Sequence, residues 1–431
     1  VDALSNGKAV GQDDPASEVL RAGGFQSRHL LYKLYTLIFD FMLVPISFKG
    51  GRIVDLYKGK GSTTACGSSR GLLIMNHIAK PLSKILKSNV APIYHDKMPE
   101  QQHGCVAGKA CDLANHVIRA VLEKAKVLNR SVAVLFLDLE KAFDRVIREY
   151  ILGLPQGLDP TITVGQYLAS IGVTGIALEH ATSYIERHGP VFEKWGVDVG
   201  AIELLKSIHS NAFYQYADLD TIILAPKGGR QGCTFGAIMF NSVYALALIA
   251  VHQQLVEAGI CLKVSADVQA PWSDIAHTGP KAEKHLIDAT YVDDEAFVLM
   301  STTPRKLDIA LGRLLHILCT TFAKFGLTIN WQPGKSEIML KYRGKKATEK
   351  TEKRRVNGVL KVKLPHGATE RYVKVVDRYK HLGSIVAMNG TEMYEVQHRC
   401  AEATHAYGPI AMKIFGSKNI GHWLKLHFMQ S

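Results

Sequence analysis

The 431-residue chain has a hydrophobic fraction of 47%, which is typical of a globular protein long enough to form two or three domains or subdomains. Its 52 Lys and Arg residues against 39 Asp and Glu residues give a formal net charge of +13, which favours a polyanionic partner, nucleic acid before membrane. The seven scattered cysteines contain no CxxC pair, so they indicate neither a zinc site nor a disulfide framework, and they fit a reducing, intracellular compartment. A generally basic surface without a partner is the alternative to nucleic-acid binding.

Apolar periodicity divides the N-terminal part into helices and one strand. Asp112 is placed to cap the last of these helices, and residues 58–61 form a basic turn after the strand. The predicted helices are residues 30–39, 71–87 and 112–128, and the predicted strand is residues 52–57.

The rest of the chain also contains both predicted helices and predicted strands. Residues 261–284 contain two prolines and predict an irregular loop insertion, and residues 341–355 form a basic stretch that either tracks a nucleic-acid backbone or is a solvated loop. The apolar stretch 237–251 is too short to span a bilayer. The predicted helices are residues 177–187, 200–210, 237–257 and 304–325, and the predicted strands are residues 131–137, 359–363, 372–376 and 382–386. No signal peptide is visible and the chain lacks a starting Met, so we expect a fragment of a larger product.

Two adjacent carboxylates, Asp293 and Asp294, lie between apolar runs that predict two short strands joined by a turn. Like charges at the rim of an apolar hairpin repel each other, and burying them without a counter-charge costs several kcal/mol. We therefore expect a cation nearby, and a divalent metal ion is the simplest candidate. An ordinary solvated turn is the alternative.

A third carboxylate, Asp138, ends the β-branched and aromatic run 131–137. A buried strand that delivers a carboxylate beside the acidic hairpin forms a set of oxygen ligands that suits a hard cation such as Mg²⁺. Two such ions about 3.5–4 Å apart can clamp the attacking and leaving oxygens of a phosphoryl transfer. Residues 139–146 have helical composition, so Asp138 as a helix N-cap is the alternative.

These carboxylates lie in segments that resemble, in order and spacing, five motifs of reverse transcriptases of non-LTR (LINE-type) retrotransposons. The five segments are FLDLEKAFDRV at 136–146, RQGC at 230–233 with Phe240-Asn241, YVDD at 291–294, GLTIN at 326–330 with Lys335-Ser336, and YKHLG at 379–383. Residues 6–20 resemble the N-terminal block peculiar to the LINE group, so the resemblance runs from residue 1 to about residue 385.

The resemblance implies an α+β protein with the right-hand polymerase fold, in which a palm of antiparallel sheet is backed by helices and joined to helical or mixed fingers and a partial thumb. The implied divisions are residues 1–130 for the fingers, 131–150 and 226–383 for the palm, 151–225 for the connection between them, and 384–431 for the start of the thumb.

The resemblance also implies an RNA-directed DNA polymerase that joins dNTPs to a primer 3′-hydroxyl with two Mg²⁺ ions, for which Mn²⁺ can substitute. Asp138, Asp293 and Asp294 would be the metal ligands, and Lys335 would protonate the leaving pyrophosphate. Phe143 would crowd the sugar C2′ and reject ribonucleotides, a core position being the alternative. The implied nucleotide-binding residues are Lys58, Lys60, Arg70, Phe143, Arg230, Gln231, Gly232 and Tyr291, and the implied primer-binding residues are Tyr379, Leu382 and Gly383.

The implied partners are an RNA template, a DNA primer at a chromosomal target and dNTPs, with no membrane and no indicated oligomeric state. The expected location is the nucleus, and the cytoplasm as a ribonucleoprotein. A group II intron-type maturase or another template-directed polymerase is one alternative, which Phe143 and the N-terminal block disfavour. A decayed, RNA-binding remnant is the other: residues 234–237 lack the usual Ser-Pro pair, and residues 101–109 have fewer Arg and aromatic residues than the family.

Overall fold

The computed structural model describes the whole chain except residues 2–3, 12–14, 60, 66–67, 105, 107, 217–220, 230–232, 268–280, 366–370 and 431. Over these described residues the protein is a mixture of helices and mostly antiparallel sheets, so the predicted α+β class is confirmed at this level. The helices are α1 (Ser17–Ala22), α2 (Gly24–Phe41), α3 (Ala79–Lys97), α4 (Cys111–Val127), α5 (Glu149–Leu152), α6 (Val164–Ser170), α7 (Gly175–His188), α8 (Val191–Trp195), α9 (Val199–His209), α10 (Gly236–Glu257), α11 (Pro304–Lys324), α12 (Ala347–Lys353), α13 (Met393–Ile410) and α14 (His422–Gln430).

The strands belong to several small sheets. They are β1 (Gly50–Tyr57), β2 (Ser69–Met75), β3 (Ser131–Leu137), β4 (Phe213–Tyr216), β5 (Ile222–Leu224), β6 (Leu262–Asp267), β7 (Lys281–Leu286), β8 (Asp288–Tyr291), β9 (Asp294–Ser301), β10 (Glu337–Lys341), β11 (Arg355–Val356), β12 (Val359–Lys363), β13 (Tyr372–Lys374), β14 (Arg378–His381) and β15 (Ser384–Ala387).

The central sheet has the order β10-β3-β9-β8 with every pairing antiparallel. All seven residues of β3 are buried because both faces of this strand are covered. Ala133, Leu135 and Leu137 join the core formed with α10 and α11, whereas Val132 and Val134 join a second core with α4. Successive side chains of a strand point to opposite faces, so the alternation gives three layers: α4, the sheet, and the pair α10 and α11.

A second sheet has the order β2-β1-β4-β5. The hairpin β1–β2 is antiparallel, and β4 adds to β1 in parallel, with Gly50 opposite Phe213. This sheet therefore joins residues of the predicted fingers, 1–130, to residues of the predicted connection, 151–225.

Two predicted helical segments are wrong, and so is the N-cap alternative for Asp138. Residues 71–75 belong to strand β2 and not to a helix, because they pair with β1; the helix begins at Ala79. Residues 139–146 form turns and a short 3₁₀ helix, Phe143–Arg145, since Lys141 has a left-handed backbone with φ 49° and Leu139 bridges to Ile329. Asp138 is therefore not the N-cap of an α-helix.

Two further differences concern helix capping and the insertion. Asp112 lies inside the first turn of α4, whose N-cap is Ala110, so it does not cap that helix. The predicted irregular insertion 261–284 contains the antiparallel hairpin strands β6 and β7, with Leu262 opposite Leu286.

Helix α10 is the one described helix long and apolar enough to cross a membrane by length and composition. Buried residues make up 67% of its most apolar window, as in the core helix of a folded domain. No membrane is therefore indicated by the described part of the chain.

Candidate active site

The acidic pair lies at the tip of the β8–β9 hairpin. Tyr291 is half-buried and pairs with Asp294 across the ladder, which leaves Val292 and Asp293 as a two-residue turn. Val292 has a positive φ of 59°, and tight hairpins need a positive φ at their first turn residue. The turn directs both carboxylates to the end of the central sheet.

The strand β3 brings the third carboxylate to the same end. Leu137 is opposite Glu295 in the ladder between β3 and β9, so Asp138, which follows β3, and Asp294, which begins β9, lie at the same end of the two strands. The pairing of β3 with β9 therefore brings together carboxylates that are far apart in the sequence.

The three carboxylates interact electrostatically. Burial raises the pKa of Asp294 to about 6, and the negative charges of Asp293 and Asp138 add to the rise. Burial and Asp138 likewise raise the pKa of Asp293, whereas Arg70 and Lys335 act in the opposite direction on both groups. Asp294 keeps part of its side chain exposed to solvent.

The donor chemistry fits a hard divalent cation. A cation between neighbouring carboxylates offsets their repulsion, and Asp138, Asp293 and Asp294 would hold it. Among the described residues, no three His, Cys, Asp or Glu side chains are already grouped as a formed metal site. Oδ2 of Asp138 instead accepts a hydrogen bond from Nδ2 of Asn330 at 3.0 Å and lies 3.4 Å from Nζ of Lys335.

The segment 326–336 brings Lys335 to Asp138. Backbone N of Asn330 donates to the Asp138 carbonyl at 2.8 Å, and backbone N of Asp138 donates to Oγ of Ser336 at 3.1 Å. Lys335 remains half-exposed beside the carboxylates, so its ammonium group can reach both the site and the solvent. The structure therefore joins the first, third and fourth sequence motifs.

Phe143 lies on the short 3₁₀ helix beside the site and is half-buried. Its ring stacks on Phe240 of α10 with 5.1 Å between centroids, so one face packs against the core while part of the side chain stays accessible. The Phe143 carbonyl accepts from backbone N of Gly229 at 2.6 Å. A Cβ on Gly228 would lie 2.6 Å from the carbonyl oxygen of Asp144, so only glycine fits there.

The β1–β2 hairpin carries two of the predicted phosphate-binding residues. Arg70 is on β2 opposite Leu56, and its charge offsets part of the rise in the pKa values of Asp293 and Asp294. Lys58 follows β1, where its backbone N donates to the Ser68 carbonyl at 2.8 Å and its side chain is exposed. The structure connects Arg70 with the carboxylates electrostatically. Lys60, Arg230, Gln231 and Gly232 lie outside the described residues.

The β14–β15 hairpin carries the predicted primer-binding residues. Leu382 and Gly383 form its turn with positive φ angles of 50° and 78°. The Tyr379 ring stacks on Phe136 of β3 at 4.2 Å, and its hydroxyl donates to the Lys335 carbonyl at 2.8 Å. Burial and the charges of Asp138 and Asp294 raise the pKa of Tyr379. This hairpin therefore borders the carboxylate site.

Four of the eight basic residues in the stretch 341–355 pair with neighbouring carboxylates. Lys350 and Arg354 both bind Asp308 of α11, at 2.7 and 2.8 Å. Lys353 pairs with Glu349 at 2.6 Å, and Arg355 with Glu352 at 2.9 Å. The two contacts with Asp308 attach α12 and Arg354 to α11.

Sequence reasoning missed one buried carboxyl group beside the site. Glu295 is 1% exposed, accepts hydrogen bonds from Thr290 at 2.6 Å and Tyr244 at 3.2 Å, and has a pKa raised well above its usual range by burial. Consecutive strand residues face opposite sides, so Glu295 must point inward where Asp294 points to the cleft. That alternation is the sequence signal that could have found it.

No protein-family model matches the chain. The support for a function comes from the side chains themselves: three carboxylates at the end of one sheet, with a lysine, an arginine and a tyrosine around them.

Proposed function

We propose that this chain is the polymerase region of an RNA-directed DNA polymerase from a non-LTR retrotransposon. It would extend a primer 3′-hydroxyl with dNTPs on an RNA template. The observation that carries the proposal is the pairing of β3 with β9, which brings the residue after β3, Asp138, and the first residue of β9, Asp294, to the same end of the sheet, with Lys335 3.4 Å from Asp138. The resemblance of five ordered segments supplies the class of reaction, and the geometry of these residues agrees with it.

The chemistry divides among the residues of the cleft. Bound Mg²⁺, or Mn²⁺ in its place, would make the primer hydroxyl more acidic and neutralise the triphosphate. Asp138, Asp293 and Asp294 would hold the ions, since their mutual repulsion is what a cation relieves. Arg70 would add positive charge on the fingers side. Lys335 carries a half-exposed ammonium group at the same cleft and would donate a proton to the leaving pyrophosphate.

Substrate choice would depend on Phe143. A bulky ring at the sugar leaves no room for a 2′-hydroxyl, and the stacking of this ring on Phe240 fixes its position. The product would therefore be DNA. The backbone contact between Gly229 and Phe143 links this ring to the segment that carries Gln231, which would contact the incoming nucleotide.

The nucleic-acid partners follow from charge and from the β14–β15 hairpin. A net charge of +13 favours a polyanion, and Tyr379, Leu382 and Gly383 lie where a primer end would reach the carboxylates. Reverse transcription primed at a chromosomal target would take place in the nucleus, with a ribonucleoprotein in the cytoplasm.

Primer extension on an RNA template with dNTPs and Mg²⁺ tests the proposal. The wild-type chain should extend the primer, and Asp294→Asn should abolish extension while leaving RNA affinity within about twofold, because the substitution keeps the side-chain shape and removes one ligand. A folded wild-type protein that binds RNA without extending a primer would instead favour the decayed remnant.

A further inference from the structure

Residues 101–104 form an extra edge on the acidic hairpin. Backbone N of Thr290 donates to the Gln101 carbonyl at 3.1 Å, and backbone N of His103 donates to the Thr290 carbonyl at 2.7 Å. This is a parallel bridge between Gln102 and Thr290. The last residues of β8 are thus held on both sides, by β9 and by residues 101–104.

The Gln102 side chain continues that contact into the turn. It is 2% exposed, and its Oε1 accepts from backbone N of Val292 at 2.9 Å and from backbone N of Gly104 at 2.8 Å. Its Nε2 donates to the Val292 carbonyl at 3.4 Å. One buried amide therefore satisfies both backbone polar groups of Val292, which the two-residue turn leaves outside the ladder.

Val292 needs such support because a β-branched residue rarely adopts a positive φ, and its φ is 59°. Gly104 allows the close approach: a Cβ there would lie 2.4 Å from backbone N of Val292. From the other side, Nδ2 of Asn241 on α10 donates to the Gly104 carbonyl at 3.4 Å. Helix α10, Gly104 and the side-chain amide of Gln102 together hold Val292 in its left-handed conformation.

We propose that Gln102 is a positioning residue for the carboxylate pair Asp293 and Asp294: it fixes the Val292 turn, and so directs the pair toward Asp138. The inference rests on the proposed function, because metal binding by the pair is the property that Gln102 adjusts. Residues that orient metal ligands from behind typically change metal affinity or activity by about 10–100-fold when they are replaced.

The test compares Gln102→Met, which keeps the length of the side chain and removes its amide, with the control Gln101→Ala, which keeps the carbonyl that binds Thr290. Mn²⁺ affinity is measured by electron paramagnetic resonance on the protein alone, and exchange of the Val292 amide hydrogen is followed by NMR. Gln102→Met should weaken Mn²⁺ binding by about tenfold or more and speed Val292 exchange. Gln101→Ala should change neither.

Unchanged Mn²⁺ affinity and unchanged Val292 exchange in a folded Gln102→Met protein would overturn the inference. If wild-type protein binds no Mn²⁺, the proposed function fails, and Val292 exchange alone decides the inference: faster exchange supports it and equal exchange overturns it. If Gln102→Met does not fold, Gly104→Ala is measured in the same way, because its Cβ would displace the same turn.

Discussion

Asn330 donates a hydrogen bond from Nδ2 to Oδ2 of Asp138 at 3.0 Å, which fixes the orientation of the carboxylate at the end of the central strand. Asn330→Ala should lower primer-extension activity by about tenfold, since Asp138 would lose its orienting partner. The free energy of unfolding should fall by only about 1 kcal/mol, the usual effect of one lost hydrogen bond. Extension rates together with urea denaturation check both values. Loss of stability without loss of activity would show that Asn330 is structural only.

Phe143→Ala should increase incorporation of ribonucleotides relative to deoxynucleotides, because the alanine leaves space at the sugar C2′. The half-buried ring packs on Phe240, so the substitution should also cost about 1–3 kcal/mol of stability. The measurement is primer extension with each nucleotide type in competition. Phe143→Tyr keeps the bulk and serves as the control; equal sugar selectivity in all three proteins would contradict the assignment.

Gly228→Ala should reduce stability and change sugar selectivity together. Gly228 has a φ of 91°, and a new Cβ would meet the backbone of Asp144, next to Phe143. We expect a loss of about 2–3 kcal/mol from the strained backbone and the collision. Gly229→Ala is the matched control, because that position has no positive φ and its Cβ would make only ordinary contacts. Equal unfolding midpoints for the two variants would contradict the expected collision.

The pKa of Asp294, raised to about 6, predicts how stability depends on pH in the absence of metal. Between about pH 4 and pH 6 the folded state holds a proton that the unfolded state has lost, so this group makes stability fall as pH rises through that window. Asp294→Asn should therefore be more stable than wild type at pH 7.5, by about 1 kcal/mol after allowance for solvent screening, and the difference should vanish near pH 4.

Urea denaturation at both pH values, with and without Mg²⁺, measures the Asp294 effect. Mg²⁺ should stabilise the wild type and have a smaller effect on Asp294→Asn, since ligand binding to the folded state adds stability. A stability difference that is the same at pH 4 and pH 7.5 would show that burial and the neighbouring charges do not disfavour the ionised form of Asp294 in the folded protein.

Sequence reasoning located those parts of the fold whose periodicity and burial agree. The run 131–137 is strand β3, and the predicted helix 304–325 is α11, because apolar side chains at regular spacing specify which face is buried. Sequence reasoning failed where contacts with distant parts of the chain, and not the composition of the segment, decide its secondary structure. Residues 71–75 join β1 as a strand, and residues 139–146 cannot continue a helix after the left-handed Lys141.

The same limit applies to the candidate site. Asp138 and Asp294 could be grouped from the sequence because each lies at the end of an apolar run, and the pairing of β3 with β9 brings these two ends together. Gln102 could not be assigned to the site from the sequence, because its contacts with Val292 depend on a long-range bridge that leaves no periodic signal. The atypical composition of residues 101–109 suggested decay, whereas Gln102 and Gly104 within it make close contacts with the acidic turn.

The pairing of β3 with both β9 and β10 has a consequence for synthesis of the chain. Asp138 leaves the ribosome early, but its strand partners end at Ser301 and Lys341. Contacts so distant along the chain form slowly, and the nascent strand β3 stays without its partners until they emerge. A ribosome-bound chain that stops short of Ser336 and Lys341 would lack the complete sheet around Asp138, so the site assembles only after residues 336–341 have been translated.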